Sequence, residues 1–147
     1  MKKKANILLV EDDPMDIELT LNAFKEVRLE NDIHIVTSGE EALDYLFGRN
    51  RYADRAAHPL PDIVLLDIKL PGLSGLQVLQ KIKNTPVLKR IPVIILTSSQ
   101  EESDRINGYD FGANSYLIKP VTFENFLTVV KQIYDYWLTL NIEAPLV

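Results

Sequence analysis

Four consecutive apolar residues, Ile63-Val64-Leu65-Leu66, run directly into a carboxylate, Asp67, and no other feature restricts the fold as much. Bounded by Pro61-Asp62 before and Leu70-Pro71-Gly72 after, so short a branched apolar run reads as a strand covered on both faces, as a central parallel strand must be. Asp67 is then the first residue to leave the core. In open α/β sheets the ligand crevice lies outside the carboxyl ends of the strands, so an ionisable group there stands where chemistry is done. Asp is also a common turn former, and Asp67 alone is explained equally well as the start of a turn.

Two further runs repeat the pattern. Residues 6–10 end on Glu11-Asp12-Asp13, and residues 93–96 end on Thr97. Pro14 stands where a first helical residue would, which makes Asp13 an N-cap; Ile17, Leu21, Phe24 and Val27, widened by Leu19 and Ala23, give that helix an inner side as far as Glu30-Asn31. Residues 33–37, with His34 among them, read as a strand of mixed polarity suited to a sheet edge. Ser38 to Glu41 has capping-box spacing, Ala42, Leu43, Leu46 and Phe47 form the buried side of the second helix, and Gly48 stops it. Residues 49–61 are basic and polar with no apolar period; so long a loop suits partner contact, and a tolerated surface insertion explains it equally well.

Ser74 and Gln77 again have capping-box spacing, with Leu76, Leu79 and Ile82 as the inner stripe of a third helix. A sparse fourth helix starts near Ser99 and carries Ile106 and Tyr109. Residues 115–118 form a mixed fifth strand, and a last helix runs from about 122 to 140 with Phe126, Val130, Ile133 and Trp137 on one stripe. Strands alternating with helices give one α/β domain over residues 1–147: a five-stranded parallel sheet with helices on both faces. The apolar strands are central and the mixed ones are edges, so the expected order is 2-1-3-4-5. Its switch point lies between the first and third strands, where Asp12 and Asp67 meet.

Composition narrows the function. With 46% hydrophobic and 25% charged residues and no cysteine, the chain has an ordinary soluble composition without disulfides or thiolate metal sites. The apolar run after Lys2-Lys3-Lys4 stops at Glu11, too short for a signal peptide, and nothing approaches a membrane span, so a cytoplasmic location is expected. A net charge of −5 argues against broad nucleic-acid binding.

Four strand ends thus carry, in order, Glu11-Asp12, Asp67, Thr97 and Lys119. Three carboxylates in one crevice repel each other and need a cation, and hard oxygen ligands without His or Cys favour Mg²⁺ or a similar ion. Thr97 offers a hydroxyl to a phosphoryl oxygen and Lys119 a mobile positive charge, which points to phosphoryl transfer onto Asp67. Each member alone has a plainer explanation: Thr as β-branched filler, Lys as a solvated charge, Asp13 as a cap.

The runs Ile7-Leu8-Leu9-Val10-Glu11-Asp12-Asp13, Leu65-Leu66-Asp67 with Leu70-Pro71-Gly72-Leu73-Ser74-Gly75, Thr97-Ser98 and Lys119-Pro120 together resemble a response-regulator receiver domain of two-component signalling. The resemblance implies a flavodoxin-like receiver fold in which Asp67 accepts phosphate from a sensor histidine kinase. It implies that Asp12, Asp67 and the backbone carbonyl of Lys69 bind Mg²⁺, with Glu11 acting through water. Thr97 and Tyr116 would be a switch pair reshaping the face of the fourth helix, fifth strand and fifth helix, and Lys119-Pro120 would be joined by a cis peptide. The chain would not be an enzyme acting on other molecules, but would promote transfer to and hydrolysis from its own Asp67. Lys69 and Ser99 flank the phosphate, where the family sets the lifetime of the acyl phosphate. The 49–61 loop and the aromatic tail exceed a minimal receiver and are similar to the receivers that partner bacterial phytochromes, which implies a bacteriophytochrome as the kinase.

With no fused output domain expected, output falls to another protein or a second copy, and Tyr134, Tyr136 and Trp137 are candidates for a homodimer face. They serve equally well as cover for the domain's own core. Three other functions fit the topology less well. A flavin-binding protein needs a Ser/Thr-Gly-rich loop where Glu11-Asp12-Asp13-Pro14 stands, and an Asp-nucleophile phosphohydrolase commonly has a second Asp where Lys69 stands. A phosphorylation-independent interaction module would leave the acidic pocket without use.

Overall fold

The computed structural model describes residues 5–26, 31–97, 112–113 and 115–118, together with the helical positions 124, 128 and 131. Five parallel strands, β1 (Ala5–Val10), β2 (Asn31–Val36), β3 (Ile63–Asp67), β4 (Val93–Thr97) and β5 (Ser115–Ile118), form one sheet in the order β2-β1-β3-β4-β5. The three apolar strands are central, as their composition requires, because a strand covered by helices on both faces has no solvent side for polar residues. The expected fourth helix, and all of the last helix except positions 124, 128 and 131, lie outside the described residues.

Helices α1 (Pro14–Glu26), α2 (Gly39–Phe47) and α3 (Gly75–Lys83) cover both faces. Because strand side chains alternate, Ile7, Leu9, Ile63, Leu65, Ile94 and Leu96 pack with Ala23 and Phe24 of α1. Leu8, Val10, Val64, Leu66, Val93 and Ile95 pack on the other side with Leu43, Tyr45 and Leu46 of α2 and Val78, Leu79 and Ile82 of α3. Burying one such side chain contributes about 1.5–3 kcal/mol, so these two layers supply most of the free energy that holds the sheet.

The helix starts follow the expected chemistry. Asp13 Oδ1 accepts the amide of Met15 at 2.9 Å, capping α1, and Ser74 and Gln77 form both legs of a capping box on α3. At α2 only half of the box forms. Ser38 Oγ accepts the Glu41 amide, but Glu41 turns its carboxylate to the Thr37 amide at 2.8 Å, to Tyr52 and to Arg51. Burial alone would raise the Glu41 pKa; the hydrogen bonds from Tyr52 and Thr37 and the charge of Arg51 outweigh it and hold the carboxyl low.

Three expectations are corrected. Leu19 is 43% exposed and Phe47 40% exposed, Phe47 lying under the Arg49 guanidinium, while Tyr45, absent from the expected stripe, is buried. The 49–61 segment is also not a bare loop. It opens with a 3₁₀ turn, Asn50–Tyr52, that buries Tyr52, and Arg55 donates to the carbonyls of Tyr45, Leu46 and His58 beyond the end of α2. Tyr45 donates its hydroxyl to the Pro59 carbonyl, and its ring meets those of His34, Tyr52 and His58. The segment is a cover for one end of the core, held by tilted and edge-on aromatic contacts and by Arg51 and Arg55.

Gly75, the first residue of α3, leaves no room for a side chain: a Cβ there would lie 2.1 Å from the Asp67 carbonyl oxygen. Gly75→Ala should therefore lower stability by about 2 kcal/mol or more in chemical denaturation. Helix propensity alone would raise it by up to about 1 kcal/mol. A second expectation concerns His34, whose pKa is lowered from the ordinary 6.5 by burial, with Asp32 opposing and His58 adding to the shift. Since the folded state binds that proton less readily than the unfolded chain, this share of stability is complete above 6.5 and is lost as the pH falls. His34→Phe should flatten the decline in Tm between about pH 7 and pH 5.

Candidate phosphoacceptor and metal site

The carboxyl ends of β1 and β3 create the site. The register pairs Val10 with Leu66, so one further step along both strands sets Glu11 beside Asp67. Glu11 is held there by its own amide, which donates to the Val36 carbonyl of β2 at 3.0 Å, and its Oε2 accepts the Asp13 amide at 3.3 Å. Asp67 is buried and its Oδ1 accepts the Lys69 amide at 3.2 Å. Asp12, by contrast, is exposed.

One carboxylate oxygen from each of Glu11, Asp12 and Asp67 lies within 4.8 Å of the other two. At an effective dielectric near 20, two unit charges at that separation repel by roughly 3 kcal/mol, less where solvent reaches Asp12. Such a cluster is satisfied by a small hard cation, and an all-oxygen donor set with one wet side suits Mg²⁺ or Mn²⁺ better than a thiolate- or imidazole-seeking metal. The donors fit the group. Asp13 is a helix cap, as its hydrogen bonds to Met15 and Asp16 show, and takes no place in the cluster.

Of the other sequence-derived site residues, Thr97 ends β4 with its backbone paired to Ile118, while its side chain lies outside the described residues, as do Lys119 and Pro120. Tyr116 is half-buried on β5 against the core layer that α2 and α3 share. Lys69 is exposed, on the segment that leaves Asp67. The sequence reading placed Gly75 in a motif without giving it a role; its lack of a side chain lets α3 begin against the Asp67 backbone. The turn spacing Pro71-Gly72-Leu73-Ser74-Gly75 was the available signal, since two glycines so close to a strand end indicate close backbone approach.

The order of the strands, the switch point between β1 and β3 and the acidic cluster there define a receiver. Comparison with known families bears this out: residues 7–131 match the response regulator receiver domain, and the chain belongs to that family. Similar proteins include the probable methanogenesis regulatory protein FilR2 of Methanothrix harundinacea, 40% identical over 92% of this chain and 84% of that protein. Response regulator Rcp1 of Synechocystis is 36% identical over 90% of this chain and 88% of its own length. Among solved structures, the phosphorylated cyanobacterial phytochrome response regulator RcpA superposes with a TM-score of 0.80 at 37% identity, covering 92% of this chain and 95% of that one. The Mn²⁺-bound form of Rcp1 superposes with a TM-score of 0.77 at 34% identity, covering 97% and 98%. The chain is thus a two-component receiver related to phytochrome-associated response regulators, a family that binds a divalent metal and works with sensor kinases. Among the described residues, no helix is long and apolar enough to cross a membrane.

The repulsion within the cluster should be measurable as stability. Asp12→Asn should raise the Tm of the metal-free protein, by on the order of 1 kcal/mol in unfolding free energy, because one of three clustered charges is removed. Added Mg²⁺ should raise the Tm of the wild type more than that of the variant, since an ion that binds only the folded state stabilises in proportion to its affinity.

Proposed function

We propose that Asp67 accepts a phosphoryl group from the phosphohistidine of a sensor histidine kinase, with Mg²⁺ held by Asp12, Asp67 and the Lys69 carbonyl and with Glu11 acting through water. The observation that carries this reading is the meeting of Glu11, Asp12 and Asp67 within 4.8 Å at the sheet's switch point. An Asp67 carboxylate oxygen attacks phosphorus; the new P–O bond forms as the P–N bond to the donor imidazole breaks, and the imidazole nitrogen keeps the electron pair and takes a proton. When bound, the cation neutralises charge on the carboxylates and the incoming phosphoryl oxygens.

Thr97 then donates its hydroxyl to a phosphoryl oxygen and Lys119 pairs with another, with Lys119-Pro120 joined in cis. As Thr97 turns toward the phosphate, Tyr116 moves inward and the face formed by β5 and the helices flanking it changes shape. Water later hydrolyses the acyl phosphate on the same residue, at a rate governed by Lys69 and Ser99. The chain thus catalyses only its own phosphorylation and dephosphorylation. Its likeness to RcpA supports a phytochrome-type kinase, a bacteriophytochrome, as donor. The aromatic residues Tyr134, Tyr136 and Trp137 support a homodimer as the output form, in the cytoplasm.

Incubating the protein with Mg²⁺ and a small acyl phosphate, then weighing it intact, should show the gain of one phosphoryl group, absent from Asp67→Asn and after chelation of the metal. A gain that persists in Asp67→Asn would move the acceptor elsewhere, and no gain in either protein would favour an interaction module that works without phosphorylation.

A further inference from the structure

We propose that Glu40 is a positioning residue for the cation site, acting through the segment between β3 and α3 without touching the ion; this rests on the reading of Asp67 and the Lys69 carbonyl given above. That segment is anchored at its start to β4 and to Asp67, and its end is tied back to its own first residue, Ile68. At its start the Ile68 amide donates to the Leu96 carbonyl at 3.0 Å and the Lys69 amide to Asp67 Oδ1 at 3.2 Å. At its end the Gly75 amide donates back to the Ile68 carbonyl at 2.8 Å.

The crown between, Pro71-Gly72-Leu73, is held from a different element. Both carboxylate oxygens of Glu40, in the first turn of α2, accept the Leu73 amide, at 3.4 and 3.3 Å. Two glycines make this approach possible. A Cβ on Gly39 would lie 2.6 Å from the Leu73 carbonyl oxygen, and one on Gly72, whose φ is 72°, would lie 2.5 Å from Glu40 Oε2. The neighbouring Glu41 is engaged elsewhere, with Thr37, Arg51 and Tyr52, so the two adjacent glutamates hold different loops at the same edge of the sheet.

The consequence is geometric. Lys69 lies between an end fixed to Asp67 and a crown fixed to α2, so its carbonyl is oriented by both. Without Glu40 the crown keeps the apolar packing of Leu70 and Leu73 and the Gly75 contact but loses its hydrogen bond to α2, so the carbonyl is held less firmly. Outer partners of metal ligands commonly contribute a factor of ten or more to affinity by holding a ligand in place.

The test is Mn²⁺ binding by calorimetry on wild type, Glu40→Ala, Glu40→Gln and Ser38→Ala, with amide hydrogen exchange at Leu73. Glu40→Ala should weaken Mn²⁺ binding about tenfold and speed Leu73 exchange, whereas Glu40→Gln, which keeps an acceptor but no charge, should remain close to wild type in both. Ser38→Ala removes the Oγ that accepts the Glu41 amide; it should lower the Tm by loosening the same helix end and leave Mn²⁺ affinity near the wild-type value. Equal weakening in Glu40→Ala and Glu40→Gln would assign the effect to charge and overturn the proposal. So would unchanged binding in Glu40→Ala, or a loss in Ser38→Ala as large as in Glu40→Ala. A wild-type protein that takes up no Mn²⁺ would overturn the reading of the site and the positioning role together.

Discussion

The mutual repulsion of Glu11, Asp12 and Asp67, two of them buried, is the constraint on which the rest of the layout turns. Carboxylates set within 4.8 Å of one another at the edge of a core are costly, and the surrounding backbone gives Glu11 and Asp67 little room to move apart. Glu11 is pinned through its amide to β2, and Asp67 sits at the end of a strand paired on both sides. A site strained by like charge is predisposed toward any ligand that brings positive charge, and a cation bound there in turn favours an anionic phosphoryl group.

What meets that cost is the sandwich of apolar layers behind it. The central strands bury branched side chains toward α1 on one face and toward α2 and α3 on the other, at about 1.5–3 kcal/mol apiece. That sum is large against the few kcal/mol of clustered charge, so the core can carry the site. The loops at the carboxyl edge are secured more locally, by glycines that admit close backbone approach and by glutamates that accept amides. The 49–61 segment adds to this security: Tyr52 reaches Glu41, and Glu41 reaches Thr37, which follows the very residue whose carbonyl holds Glu11.

Much of this was legible in the residues themselves, and the exceptions are instructive. Period-two alternation does not exist in a strand covered on both faces, so residues 63–66 and 93–96 identified themselves as central by being apolar throughout, and the strand order followed. The capping residues Asp13, Ser38 and Ser74 were equally readable, because a cap is a local event between a side chain and an amide two or three positions away. Helix faces were less so. Leu19 and Phe47 fit an apolar stripe by spacing yet face solvent, Phe47 against Arg49, while Tyr45 is buried because the 49–61 segment closes over it. Which edge of a stripe is covered depends on what arrives from elsewhere in the chain.

By itself, then, the order of residues determined the class of fold, the order of the strands and the acids that would gather at the switch point, because these depend on hydrophobic pattern and on the fixed handedness of parallel connections. Only the tertiary structure decided how those acids are held. That Glu41 forsakes its capping box for Tyr52 as well as Thr37, that Glu40 reaches the amide of Leu73 33 positions away, and that Gly75 lies against the Asp67 backbone are contacts made across loops and between elements. Local propensity marks the turns but not these partners, since each contact forms only once packing has brought two backbones close enough for a carboxylate to span the gap or for a side chain to have no room.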